Sequence, residues 1–119
     1  MKTILLAEPV PTLRRTMHSF WPANQGYTVM DVATETHAIE AARLHDARVL
    51  LVNMMHLEFP NDALDRVRQQ CPELQILLFG GNPFTGWRVG PSWQEMTELK
   101  ASDLVSFQAA VVAALNGGN

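Results

Sequence analysis

The chain has 119 residues, 47% of them hydrophobic and 18% charged, with a net charge of -3 near neutrality. That length holds one domain around one continuous core, here residues 1–119, and the composition is that of a globular protein, not a disordered one. The slight acidity and the lack of a Lys/Arg cluster argue against a nucleic-acid partner, and no run approaches the roughly 20 apolar residues that a membrane span needs.

In chain order, the first apolar run is Ile4 to Ala7, short and almost free of polar residues. Such runs suit strands buried on both faces of a parallel sheet. Leu13, Met17 and Phe20 then follow Thr12 at helical spacing, and Pro22 is expected to end that helix. Tyr27 to Ala33 is a more mixed run, interrupted by Thr28 and Asp31, and reads as a strand nearer the sheet edge. Thr34 or Thr36 can cap a second helix, Ala38 to Leu44, with Ala38, Ile39, Ala42 and Arg43 at i, i+4 spacing. Val49 to Val52 is the third strand. Asn61 or Asp62 opens a third helix with Leu64 and Val67 inward, and Ile76 to Phe79 is the fourth strand. Ser102 can cap a last helix, Asp103 to Leu115, with Leu104, Phe107, Val111 and Leu115 along one side and Gly117-Gly118 beyond it.

The alternation breaks between residues 80 and 94. Four glycines (80, 81, 86, 90) and two prolines (83, 91) stand where a regular alternation would place a helix, so a loop is expected there. Strands alternating with helices imply a parallel sheet with helices on both sides.

Few residues carry the signature of chemistry. His18, His37, His45 and His56 are scattered without partners at metal-ligand spacing, so no metal site is expected. The single cysteine, Cys71, excludes an internal disulfide, fits a reducing cytoplasm and reads as a buried or half-buried thiol. The opening apolar run is interrupted by Glu8 and Pro9, too early for a signal peptide, so a cytoplasmic location is expected. The glycines of the irregular segment lack the spacing of a phosphate-binding loop. Phe84, Trp87, Arg88 and Trp93, in that segment, are candidates either to plug the space of the missing helix or to bind a partner, since Trp and Arg are enriched at interface hot spots.

Ile4-Leu5-Leu6-Ala7-Glu8-Pro9-Val10-Pro11, Gly26-Tyr27-Thr28-Val29, Val49-Leu50-Leu51-Val52-Asn53-Met54-Met55 and Lys100 together, in this order and spacing, resemble the receiver domain of bacterial two-component response regulators. The resemblance implies a flavodoxin-like (βα)5 three-layer sandwich with a five-stranded parallel sheet, whose fourth helix is here shortened or replaced by a loop. In that family two acids after the first strand and an aspartate after the third hold Mg²⁺, and the aspartate accepts a phosphoryl group. A hydroxyl after the fourth strand and a lysine after the fifth bind it. Carried over, the acid pair becomes Glu8 and Pro9, the acceptor becomes Val52 (or Asn53, if the register is one longer), and the hydroxyl becomes Gly80. Lys100 alone is kept, and it is expected to pair with Glu8.

The chain therefore reads as a degenerate receiver without a phosphorylation cycle, not an enzyme, and with no cofactor. Its expected role is protein-protein interaction in signal transduction. The partner is another protein or a second copy, met through the 80–99 segment and the last helix. Two alternatives come with this reading. One is an active receiver using Glu58 or Asp62 as acceptor. The other is a small-ligand domain using Glu8, Asn53, His56 and Lys100 at the carboxyl ends of the strands.

Overall fold

The computed structural model describes residues 2–21, 23–53, 61–82, 86–91, 97–99 and 104–116. The centre of the sheet is four parallel strands: β1 (Lys2–Ala7), β2 (Tyr27–Asp31), β3 (Val49–Asn53) and β4 (Gln75–Asn82), in the order β2-β1-β3-β4. Ile4 pairs with Val49 and Ala7 with Val52, and Val49 to Asn53 pair with Gln75 to Phe79.

Alternation along these strands divides the core in two. Leu5, Ala7, Leu50, Val52, Ile76 and Leu78 pack with Ala38, Ala42, Leu64 and Val67 of α2 (Glu35–Leu44) and α3 (Asn61–Gln70). Ile4, Leu6, Val49, Leu51 and Phe79 pack on the other side with Met17 of α1 (Pro11–Phe20) and Phe107, Val111 and Leu115 of α4 (Leu104–Leu115). The result is a helix–sheet–helix layering. Each fully buried Leu or Phe contributes about 1.5–3 kcal/mol relative to exposure, so these two layers dominate the stability. Phe107 joins them on the second side, with ring centroids 6.2 Å from Phe20, 5.9 Å from Trp21 and 6.0 Å from Phe79.

The helix boundaries follow local chemistry. Pro11 occupies the first turn of α1, where its missing N–H costs nothing, and the helix runs to Phe20 as the periodicity predicts. Of the two candidate caps of α2, Thr34 is the one used: its hydroxyl accepts the His37 N–H at 3.1 Å. At the other end Asp46 takes φ +48° and the Ala47 N–H reaches back to the Ala42 carbonyl at 3.0 Å, a Schellman closure usually built on glycine. Ala38 and Ala42 are buried and Ile39 partly so, whereas Arg43 points outward and donates to the Gln70 side chain at 2.7 Å. Ser102 and Pro22 lie outside the described residues.

The expected five-stranded parallel sheet with a loop at 80–94 is corrected. β4 runs on to Asn82, and β5 (Gly86–Gly90) pairs antiparallel with it, Gly80 opposite Arg88 and Gly81 opposite Trp87. A short β6 (Thr97–Leu99) pairs antiparallel with β5. Among the described residues the sheet thus has six strands, and the place beside β4 belongs to an antiparallel strand. The reason is local: Trp87 and Val89 favour extended backbone, and neighbouring glycines weaken a strand without forbidding it.

On the surface, Arg66 of α3 grips Glu35 of α2 with two hydrogen bonds, 2.7 and 2.8 Å, and also reaches Asp62 at 3.4 Å. The Arg66 hydrogen bond holds the Glu35 carboxyl below the ordinary carboxylate range. A lowered folded-state value means the stabilisation is complete above the pH where glutamate titrates in the unfolded chain, about 4.3, and is lost as pH falls through the lower folded value. Thermal midpoints of the wild type and Arg66→Gln should therefore differ by a constant amount near neutrality and converge in acid; a gap that persists at pH 2 would contradict this.

Candidate functional site

The carboxyl ends of β1 and β3 lie side by side because Ala7 pairs with Val52. The next residues, Glu8 and Asn53, therefore meet. Glu8 is only 3% exposed. Its Oε2 accepts the Asn53 Nδ2 amide at 2.5 Å and its Oε1 accepts the Val10 N–H at 3.0 Å. Arg14 Nη1 donates to the Glu8 backbone carbonyl at 3.4 Å, tying the first turn of α1 to the end of β1. A buried carboxylate is costly without donors, and here one comes from each neighbouring segment.

Of the two residues that the resemblance carries to the acceptor position, Asn53 meets Glu8 and Val52 does not. The Val52 side chain is 1% exposed and packs with Leu50, Leu78 and the α2–α3 layer, on the face away from Glu8. Asn53, the one-longer register, is the residue that meets Glu8. Alternation is the cause: adjacent strand residues face opposite ways. Pro9 is exposed and brings no second acid. Gly80 is buried within β4, opposite Arg88, and brings no hydroxyl.

Lys100, Phe84, Trp93, His56 and Glu58 lie outside the described residues, as does the expected Lys100–Glu8 pair. Trp87 and Arg88 are described in their backbone, on the central positions of β5, and not on a loop. Asp62 stands in the first turn of α3, exposed and bonded to Arg66. Cys71 is buried, as expected.

Beside Glu8, toward β2, opens a cavity of about 260 Å³ lined by Glu8, Pro9, Arg14, Asp31, Val32, Ala33 and His37. Asp31 is met by two side chains of α1: His18 Nε2 lies 2.8 Å from its Oδ1 and Arg14 Nε 4.0 Å from its Oδ2. Sequence reasoning missed the gathering of Arg14, His18 and Asp31. The signal was a charged residue interrupting an otherwise apolar strand, whose partners a helix 13 residues earlier supplies.

The arrangement has a limited chemistry. A neutral amide at Asn53 is a poor phosphoryl acceptor and a weak ligand for Mg²⁺, which prefers carboxylate oxygens in a tight octahedral set. Among the described residues Glu8 is the one acid at the strand ends of β1 and β3, and two donors already engage it. No protein-family model matches the chain, and no curated protein matches it significantly.

Replacing Asn53 by Leu strips one donor from a buried carboxylate. The variant should lose about 2 kcal/mol in urea denaturation near neutrality, the scale of a hydrogen bond to a charged group. An unchanged midpoint would show that Glu8 does not depend on Asn53.

Proposed function

We propose that this chain is a receiver-like domain that has left the phosphorylation cycle and acts as a protein-interaction module in signal transduction. The observation that carries the reading is the Glu8–Asn53 hydrogen bond: an amide occupies the place beside the first-strand acid where a receiver needs its second carboxylate. Pro9 and Gly80 support it, since neither offers a metal ligand or a hydroxyl. The strand order β2-β1-β3-β4 is that of the first four strands of a flavodoxin-like fold, which supports a receiver-type origin. In this reading β6 and α4 correspond to the fifth strand and helix, and β5 replaces the fourth helix.

The partner surface is then β5, β6 and α4, where the chain departs most from a regular alternation. Trp87 and Arg88 are the residues chosen to carry it, being the types most often found at hot spots. A small-ligand reading has one observation in its favour, the cavity beside Glu8, Arg14 and His37.

Mg²⁺ with beryllofluoride should leave the thermal midpoint where matched ionic strength alone leaves it, and acetyl phosphate should add no phosphoryl mass. A labelled Asp62 or Glu58 would replace this reading with an active receiver. In a separate measurement, a Trp87→Ala, Arg88→Ala double variant should lose at least tenfold in affinity for whichever protein the wild type captures, or in self-association, consistent with two hot-spot truncations of over 1 kcal/mol each; undiminished binding would move the interface elsewhere.

A further inference from the structure

We propose that the amino-terminal end of the sheet holds a binding site for a phosphate group, separate from Glu8 and Asn53 at the opposite end. A cavity of about 270 Å³ lies there, lined by Lys2, Thr3, Asp46, Arg48 and Leu115. Open α/β sheets ordinarily bind ligands at the carboxyl ends of their strands, so this end needs its own argument.

The parallel pairing supplies the placement. Ile4 stands opposite Val49, so the preceding residues, Thr3 and Arg48, start their strands side by side. Alternation puts both on the face of Leu5 and Leu50. Lys2 comes from the other face and is anchored by a 2.9 Å hydrogen bond from its Nζ to Asn116 Oδ1. Asp46 is brought in by the Schellman closure after α2, two residues before Arg48.

Thr3 is the observation that points to a ligand. It is only 9% exposed, yet among the described residues its hydroxyl has no hydrogen-bond partner. Among the described residues the one buried side-chain polar atom without a partner is Trp21 Nε1, so the Thr3 hydroxyl is not sealed in the core but opens onto this cavity, where valine would suit the strand if packing alone mattered. Arg48 likewise has no ion pair among the described residues. One hydroxyl, one guanidinium fork and one ammonium thus line a single cavity. Their local balance with Asp46 is positive on a chain whose net charge is -3.

These donors suit a tetrahedral oxyanion, which can accept from several directions, with the guanidinium binding two oxygens at once. Asp46 sharpens the choice. Near neutral pH phosphate still carries a proton and can donate it to a carboxylate, while sulfate has none and meets only repulsion. A carboxylate at the rim therefore selects phosphate over sulfate. The phosphate can be free or the head of a monoester, since the recognised chemistry is the same.

Calorimetric titration at constant ionic strength tests this with inorganic phosphate, glycerol phosphate and sulfate. The wild type should bind inorganic phosphate saturably and sulfate at least tenfold more weakly. Thr3→Val and Arg48→Gln should each weaken phosphate about tenfold, the scale of one good hydrogen bond, while the ligand-free thermal midpoint is held or raised. Asp46→Asn should narrow the gap between phosphate and sulfate. Equal or tighter binding of glycerol phosphate assigns the site to a monoester; loss of binding on esterification assigns it to free phosphate. Absence of saturable heat, or phosphate and sulfate binding alike and indifferent to these substitutions, overturns the proposal.

Discussion

A carboxylate as deeply buried as that of Glu8 must be met by donors, and the top of this molecule is arranged around meeting that need. Val10 turns its N–H back onto the carboxylate as the chain leaves β1, which sets the direction in which α1 begins. Asn53 closes the other side from β3. The hydrogen bonds therefore join three consecutive tasks: ending one strand, starting a helix and fixing the neighbouring strand end. Removing a donor would leave charge in a low-dielectric place, which costs more than an exposed pair such as Arg66–Asp62 can return.

The same contact links structure to the functional reading. A metal-binding receiver gathers negative charge at these strand ends and relies on a cation to neutralise it. On the proposed reading an amide takes the place of one negative charge, and Asn53 and the Val10 N–H donate to the remaining acid. Such a pocket gains stability from being neutralised internally. It gives up the mutual repulsion that makes an acidic cluster responsive to metal and phosphoryl groups. On the proposed reading, loss of switching and stabilisation of the strand ends are two descriptions of one substitution.

Most of the parallel core was legible because its signal is simple. Ile4 to Ala7, Val49 to Val52 and Ile76 to Phe79 are buried on both faces, so their composition alone announces them. Thr34 was legible as one of two candidate caps, because a hydroxyl at that place answers a free N–H, and the structure selects it over Thr36. What was not legible depended on pairing. An apolar run does not state which of two adjacent residues faces the site, and a shift of one exchanges Val52 for Asn53. Only the register of β3 against β1 decides it. Thr3 was equally opaque: in sequence it is an ordinary strand residue, and only the neighbouring start of β3 shows what its hydroxyl faces.

The antiparallel β5 was hidden for a different reason, and it changes how the second half of the sheet is built. A parallel strand must return the chain to its starting end, which normally takes a helix. Two successive antiparallel pairings accomplish the same reversal: β5 runs against β4, and β6 runs against β5 and so along β4. The chain recovers the direction needed to enter α4 without a fourth crossover helix, but the last strand is displaced one place outward. The glycines that looked like helix breakers are compatible with this because an antiparallel pair at the sheet's growing edge asks less of each residue than a doubly buried central strand. On the proposed reading, a partner approaching this side meets the edge of β6, the last strand among the described residues. Recognition there would draw on sheet-edge hydrogen bonding and alternating side chains, a different chemistry from helix-to-helix packing.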